Sequence, residues 1–186
     1  QVGDYAARLD GLSLKGVRIG LITDMKAGLP VDPQIVRTTR AAAAALAAAG
    51  ALIEPVDSFM TPAMLDGMCR FFEARSGIDV AALSDAERAK VLPFIVEWAS
   101  WRSGSFSGAD VMTAYAQIMA MREAAVRCTA RFDYLLSPVA PILSYGAEQH
   151  SPSENPHDAL SHIAFTVAWN MSEQPAASVN WHHVDD

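Results

Sequence analysis

With 186 residues, 51% of them apolar, the chain is long enough to bury a core as one domain, and disorder is excluded as its default state. Its formal charge of −7, from 21 acidic and 14 basic residues with no long block of either sign, disfavours a polyanionic partner such as nucleic acid and suits a small neutral or cationic ligand. Only Cys69 and Cys128 are present, with no CxxC pair, so disulfide stapling is not expected and a reducing compartment is.

The first ten residues mix Asp4, Arg8 and Asp10 with small side chains and show no basic start leading into an apolar stretch, so no secretory signal is expected. The longest apolar run, Ala41 to Leu52, is mainly alanine and is too short and too weakly hydrophobic to span a bilayer. The expected location is cytoplasmic, with no membrane partner.

Val17, Ile19, Leu21 and Ile22 follow the turn signal Lys15-Gly16 and end at Thr23-Asp24, the pattern of a buried strand. Gly28, Pro30 and the pair Asp32-Pro33 then make a loop that delivers an N-cap aspartate with proline at the first helical position. Ile35, Thr39, Ala42, Leu46 and Ala49 share one helical face, and Gly50 sits where a left-handed C-cap stops the helix. Leu52 and Ile53 read as a second strand. Val17 to Val56 is thus a strand–helix–strand unit of the kind that builds parallel sheets, and the alanine stretch is explained by close packing of a smooth helix on the sheet.

Pro62 to Ser100 is helical in pattern, in two or three segments broken near Gly77 and Pro93, with Phe71, Phe72, Phe94, Trp98 and Trp101 as expected core contacts. Residues 102–108 form a loop in which Ser107 can cap the next helix together with Asp110. That helix is the longest. Val111, Tyr115, Ile118, Met121, Ala125, Cys128 and Phe132 recur at spacings of three and four along it, so Cys128 reads as a packing thiol on an apolar face. Asp133 to Pro138 is a compact strand that runs into Val139-Ala140-Pro141-Ile142, where the two prolines impose an extended loop. Open α/β sheets place ligands beyond the carboxyl ends of their strands, which makes this loop a candidate pocket wall. Ser144 to Asp158 is polar, is punctuated by Pro152 and Pro156, and is expected to be a mobile surface loop, while Ala159 to Ala168 returns to the core. The expected fold is a single α/β domain over residues 1–186, with a mixed or largely parallel sheet flanked by helices.

Nucleophilic hydrolysis needs a serine or cysteine beside a base that a third group holds in place. The nucleophile elbow GxSxG is absent, since Phe106 occupies the central position of Gly104 to Gly108. The three lysines, Lys15, Lys26 and Lys90, stand away from any serine-rich glycine loop, and no two serines are adjacent. Neither GxGxxG nor GxxxxGKS/T follows the first strand, so nucleotide binding has no support. The five histidines, His150, His157, His162, His182 and His183, lie among Glu148, Glu154, Asp158, Asp185 and Asp186. None of them has the HxxxH spacing that puts two imidazoles on one helical face, so neither a metal nor another cofactor is expected.

The stretch Phe165 to Val179 resembles the segment of amidase-signature hydrolases that reads roughly FTxxxNxxGxPAxSVP. Leu14 to Gly20 with Pro30 to Pro33 looks like the strand and helix start that follow the family's catalytic core, and Phe132 to Pro141 looks like its DxLLxPxxP strand and loop. The three segments come in the family's order and span nearly the whole chain. The resemblance implies a partial amidase-signature fold. It also implies a serine nucleophile that attacks an amide, a second serine with a cis peptide bond that relays the proton, a lysine base and an oxyanion hole of glycine-rich backbone amides. All of these are expected upstream of Gln1, so the chain by itself is expected to be inactive and to be part of a larger enzyme. Its own contribution is expected to be substrate binding, with Val139, Ala140 and Pro141 forming one wall of the pocket and Trp169 with Asn170 another. The bland alternatives are that Trp169 is buried core and Asn170 satisfies backbone groups. Two departures bear on local turn geometry: Glu173 stands where a glycine is usual, and Asn180 where a proline is.

Two functions remain open at this point. One is the C-terminal part of an amidase acting on a small carboxamide, which predicts an exposed apolar face and association into a homo-oligomer through it. The other is a non-catalytic α/β ligand-binding or scaffolding subunit, which predicts a closed polar surface.

Overall fold

A computed structural model of the chain describes residues 11–181. Three strands, β1 (Arg18–Leu21), β2 (Leu52–Pro55) and β3 (Tyr134–Leu136), make one sheet in the order β2-β1-β3, and both pairs are parallel. β1 is central, with Ile19 opposite Ile53 on one side and Tyr134 on the other. Parallel neighbours cannot be joined by a tight hairpin, and helices fill each crossover.

The first crossover is α1 (Pro33–Ala48). It begins as its sequence predicts: the Asp32 carboxylate accepts the Gln34 N–H at 2.6 Å, and Pro33 occupies the first turn, where a missing N–H costs nothing. It stops just before Gly50, whose φ of 104° is open to glycine. The alanines behave otherwise than expected. Only Thr39 and Ala43 are buried, Ile35, Ala42 and Leu46 are half-buried, and Ala41, Ala44, Ala45, Ala47, Ala48 and Ala49 are exposed. Strands of three or four residues offer a 16-residue helix only a narrow seam, so alanine there serves helix propensity more than packing.

The second crossover contains α2 (Pro62–Ala81), α3 (Asp85–Arg88), α4 (Pro93–Ser100) and α5 (Gly108–Thr129). α2 does not break at Gly77: the helix continues to Ala81 with Gly77 buried, because close packing there offsets the modest helix penalty of glycine. The break at Pro93 is present. Capping boxes of Ser84 with Glu87 and of Ser107 with Asp110 start α3 and α5. After β3 the chain passes through a 3-10 turn at Pro156–Asp158 into α6 (Ala164–Ser172).

The core gathers where the end of β1 meets α2, α5 and α6, with Ile22, Met25, Met68, Met121 and Phe165 fully buried. α5 turns Ala114, Ile118, Met121 and Ala125 inward, while Tyr115 is 42% exposed and Phe132 lies beyond the helix end. Phe71, Phe72 and Cys128 pack against this core, but α4 sits outside it: Phe94 and Trp98 are half-buried and Trp101 is 40% exposed. The reason is a second packing task. The segment 144–158 is pinned to α4 by His150 against Phe94 and by His157 stacked on Trp101, both at 3.8 Å between ring centres. The buried Ser151 hydroxyl donates to Ala159 O at 3.2 Å. Among the described residues no helix is long and apolar enough to cross a membrane.

α2 and α5 make the most extensive helix contact in the fold, and Gly67 sets how close they come. A β-carbon at position 67 would overlap the Gln117 side chain and stand 3.2 Å from Ala114 O. Gly67→Ala should therefore lower unfolding free energy by about 1–3 kcal/mol in urea titrations, even though alanine is the better helix former by about 1 kcal/mol. Gly108→Ala, where nothing lies within 4 Å, should leave the midpoint nearly unchanged.

Candidate functional site

Because all three strands run the same way, their carboxyl ends open on one edge, and the loops that leave it are the natural place for a ligand. The edge is stitched by backbone. The Ile22 N–H donates to Leu136 O at 3.0 Å, and the Val56 N–H donates to Leu21 O at 2.9 Å. After β1, Lys26 takes a left-handed φ of 56°, steadied by Asp24, which accepts its N–H at 2.8 Å and its ammonium at 2.7 Å. That hydrogen-bonded lysine holds the Asp24 carboxyl below its usual range. After β2, the Ser58 hydroxyl donates to Met25 O and accepts the Met60 N–H at 3.1 Å, joining the first loop to the second.

The loop after β3 carries the first expected wall. Val139 is exposed, Ala140 is half-buried and Pro141 is fully buried, its carbonyl accepting the Asp32 N–H at 2.7 Å. Pro141 thus ties the loop to the start of α1. The second expected wall lies on α6. Trp169 is half-buried and meets the edge of Phe59, which follows β2, at 5.6 Å, while Asn170 is exposed and its carbonyl accepts the Glu173 N–H at 3.3 Å. One wall is therefore attached to β3 and the other rests on the loop after β2, the strands that flank β1.

Glu173 closes α6 in the left-handed conformation, φ 59° and ψ 23°. This is the position at which the resembled segment carries glycine, the residue that adopts this geometry without strain. The glutamate is partly compensated by a 3.0 Å ion pair with Arg122 from α5.

A second concave region was not anticipated from the sequence. A cleft of about 220 Å³ lies between α2, α4, the Pro156–Asp158 turn with the residues that follow it, and Gly28 of the loop after β1. It is lined by Leu65, Cys69, Trp98 and Leu160 and by an ion pair between the buried Glu73 and the half-buried Arg102. Arg102 donates from Nε at 2.9 Å and from Nη2 at 2.6 Å to the same Glu73 oxygen. Burial pushes the Glu73 carboxyl up despite the arginine beside it. The same burial, with the Glu73 charge behind it, drives the Cys69 thiol up to about 12, and burial also raises the Cys128 thiol, so neither cysteine is a ready nucleophile. The available signal was Glu73 itself, a carboxylate on the stripe that Leu65, Cys69 and Val80 share along α2. None of Val139, Ala140, Pro141, Trp169 and Asn170 lines this cleft.

The histidines do not assemble into a metal site among the described residues, where no group of three potential ligands occurs. His157 stacks on Trp101, His150 lies tilted against Phe94, and burial lowers the His162 pKa. His182, His183, Asp185 and Asp186 lie outside the described residues.

A small parallel sheet flanked by helices, with extended loops at its carboxyl edge, is an α/β architecture that many enzymes share. The amidase family model matches residues 2–186, and the chain belongs to that family. No curated protein sequence matches it. Among solved structures, the chain is similar to a bacterial aryl acylamidase of the amidase signature family, with a TM-score of 0.71 and 20% identity over 91% of this chain and 38% of that one. It is also similar to 6-aminohexanoate cyclic dimer hydrolase, with a TM-score of 0.61 and 18% identity over 85% of this chain and 36% of that one. The substrate complex of that hydrolase aligns with a TM-score of 0.57 at 20% identity. The likeness establishes an amidase-signature fold, and the chain spans well under half the length of either relative.

Two outcomes follow from these geometries. Glu173→Gly should raise unfolding free energy by about 0.5–1 kcal/mol, since relief of left-handed strain exceeds the worth of an exposed ion pair; differential scanning calorimetry reads this directly. Glu73, whose folded pKa lies above its ordinary 4.5, binds protons more firmly folded than unfolded. Its contribution to stability therefore falls as pH rises from 4.5 through the folded value. Over that range Glu73→Gln should lose less stability than the wild type in denaturant titrations.

Proposed function

We propose that this chain forms the pocket-shaping part of an amidase-type hydrolase that cleaves the C–N bond of a small carboxamide by way of a serine nucleophile carried outside these 186 residues. The supporting observation is the family match over residues 2–186, together with the placement of the resembled segments. The DxLLxPxxP-like piece forms β3 and the loop beyond it, and the FTxxxN-like piece forms α6, whose Trp169 rests on the loop after β2.

In this reading the chemistry divides between two parts of the enzyme. A serine, a second serine and a lysine perform acyl transfer, and backbone amides hold the developing oxyanion. The residues of this chain bind and orient the amide, with the exposed Val139 and half-buried Ala140 on one side, and Trp169 with Asn170 on the other. Pro141 holds the first wall in place through its hydrogen bond from Asp32. A rigid aromatic side chain and an exposed carboxamide are suited to gripping a flat, polar substrate.

Full-length protein should release ammonia or amine from linear amides, whereas the 186 residues alone should release none. Asn170→Ala in the full-length enzyme should lower kcat/KM by roughly tenfold or more, about 1.4 kcal/mol of transition-state binding, with little change in Tm. Matching losses of activity and Tm would make Asn170 a structural residue. Turnover by the 186 residues alone would overturn the division of labour, and a full-length protein inert on every amide tried would overturn the hydrolase reading.

A further inference from the structure

α5 carries two apolar stripes, and only one of them is covered. Ala114, Ile118, Met121 and Ala125 face inward, and Ile118, Met121 and Ala125 join the cluster against which Val56 and Leu135 pack from the sheet side. On another side of the same helix Met112 is 66% exposed, and Tyr115, Met119 and Val126 are between 42% and 47% exposed. Steps of three, four and seven residues keep these four side chains on one line, which runs roughly 21 Å at about 1.5 Å per residue. Arg122 occupies the position that the line skips, and its 3.0 Å ion pair with Glu173 draws the guanidinium toward the end of α6. Tyr115 is steadied by Phe71 of α2, with 5.5 Å between ring centres. A seam of this spacing is how one helix packs on another, and a contiguous exposed apolar strip marks an interaction surface.

We propose that this stripe is the contact between two copies of the protein, which pair through α5 in antiparallel fashion about a two-fold axis at Met119. The stripe is symmetric about that residue, seven positions from Met112 on one side and seven from Val126 on the other, as a self-complementary two-fold contact requires. Met119 then meets the partner's Met119, and Met112 meets the partner's Val126. Charge fixes the direction. Asp110 lies in the first turn of α5 and Arg127 in its last, so an antiparallel pair brings Arg127 beside the partner's Asp110, whereas a parallel pair would set Arg127 on Arg127 and Asp110 on Asp110. The helix dipoles favour the antiparallel arrangement as well. The parts of the enzyme outside these residues have a different place to attach: among the described residues β2 and β3 are edge strands, with Leu52 and Tyr134 exposed, and open edges are where further strands pair. Four side chains along one helix fall short of a standard interface of roughly 1,600 Å², so the pair is reversible, with a dissociation constant on the order of micromolar.

Sedimentation equilibrium of the full-length protein tests this, and the wild type should be a concentration-dependent dimer. Met119→Glu and Met119→Lys each set like charges on the axis and should raise the dissociation constant by about tenfold or more, while an equimolar mixture of the two should restore association. A short bismaleimide should join two copies of Met119→Cys, with the wild type, whose Cys69 and Cys128 are half-buried, as the unlinked control. It should leave Met112→Cys unlinked, because the two substituted positions stand roughly 21 Å apart in the pair, and should link Met112→Cys to Val126→Cys when those proteins are mixed. Position 119 is exposed, so the core stays intact; should a charged variant fail to fold, the cysteine variants decide. A full-length protein that stays monomeric at concentrations on the order of 100 µM would overturn the inference, as it would if the enzyme's own remainder covers the stripe. So would undiminished dimerisation of Met119→Glu and Met119→Lys, which would put the contact on another face, or linkage of Met112→Cys alone, which would make the pair parallel. Association is read without substrate, so it stands or falls apart from the amidase reading.

Discussion

Everything at the carboxyl edge depends on β1 being hydrogen-bonded on both sides in the same direction. Ile22 donates to Leu136 O, and Leu21 O accepts from Val56, so segments more than 100 residues apart in the chain are brought level within a few ångströms. The parallel arrangement gathers the loops on one edge. In an antiparallel pair one loop would leave from each end, whereas here the loops after β1, β2 and β3 all leave together. Their cross-links, Ser58 to Met25 O and Asp32 to Pro141 O, hold three independent turns as one surface. A binding surface is more precisely placed on such a scaffold than on a single long loop.

Much of this fold could be read from local chemistry. The Asp32-Pro33 start, the Gly50 stop and the Ser107–Asp110 capping box each act within four residues of themselves, and each is found where its residues place it. Features that depend on distant partners were not legible. Gly77 has a breaking tendency worth about 1 kcal/mol, and only the neighbours that bury it decide that the helix continues. Trp101 and Phe94 have the composition of core residues, yet they pack against histidines from a segment that lies more than 50 residues away and reads as free loop.

The same distinction applies to the site. The prolines of 138–141 and the αL position at Glu173 are local signals, and both mark real backbone features, the first in the loop at the carboxyl end of β3 and the second at the end of α6. The Glu73–Arg102 pair joins residues 29 positions apart, in a stretch where each of them alone reads as an ordinary charged side chain. Burial converts them from surface charges into a fixed donor with its own counter-ion. A carboxylate that recurs on an apolar helical stripe is the pattern by which such pairs can be sought in other chains.

The alanine helix has a consequence for how this chain acquires its structure. With only Thr39 and Ala43 buried along α1, little of its helicity is bound to tertiary contact. Its 16 residues combine strong helix formers with a fixed start and a fixed stop, enough for a marginally stable isolated helix. Such an element can form on the sub-microsecond scale of helix–coil relaxation, ahead of the long-range β1–β3 pairing, whose loop closure is far slower. By folding back between β1 and β2, an early α1 shortens the search for the first parallel pair and leaves β3 as the late strand.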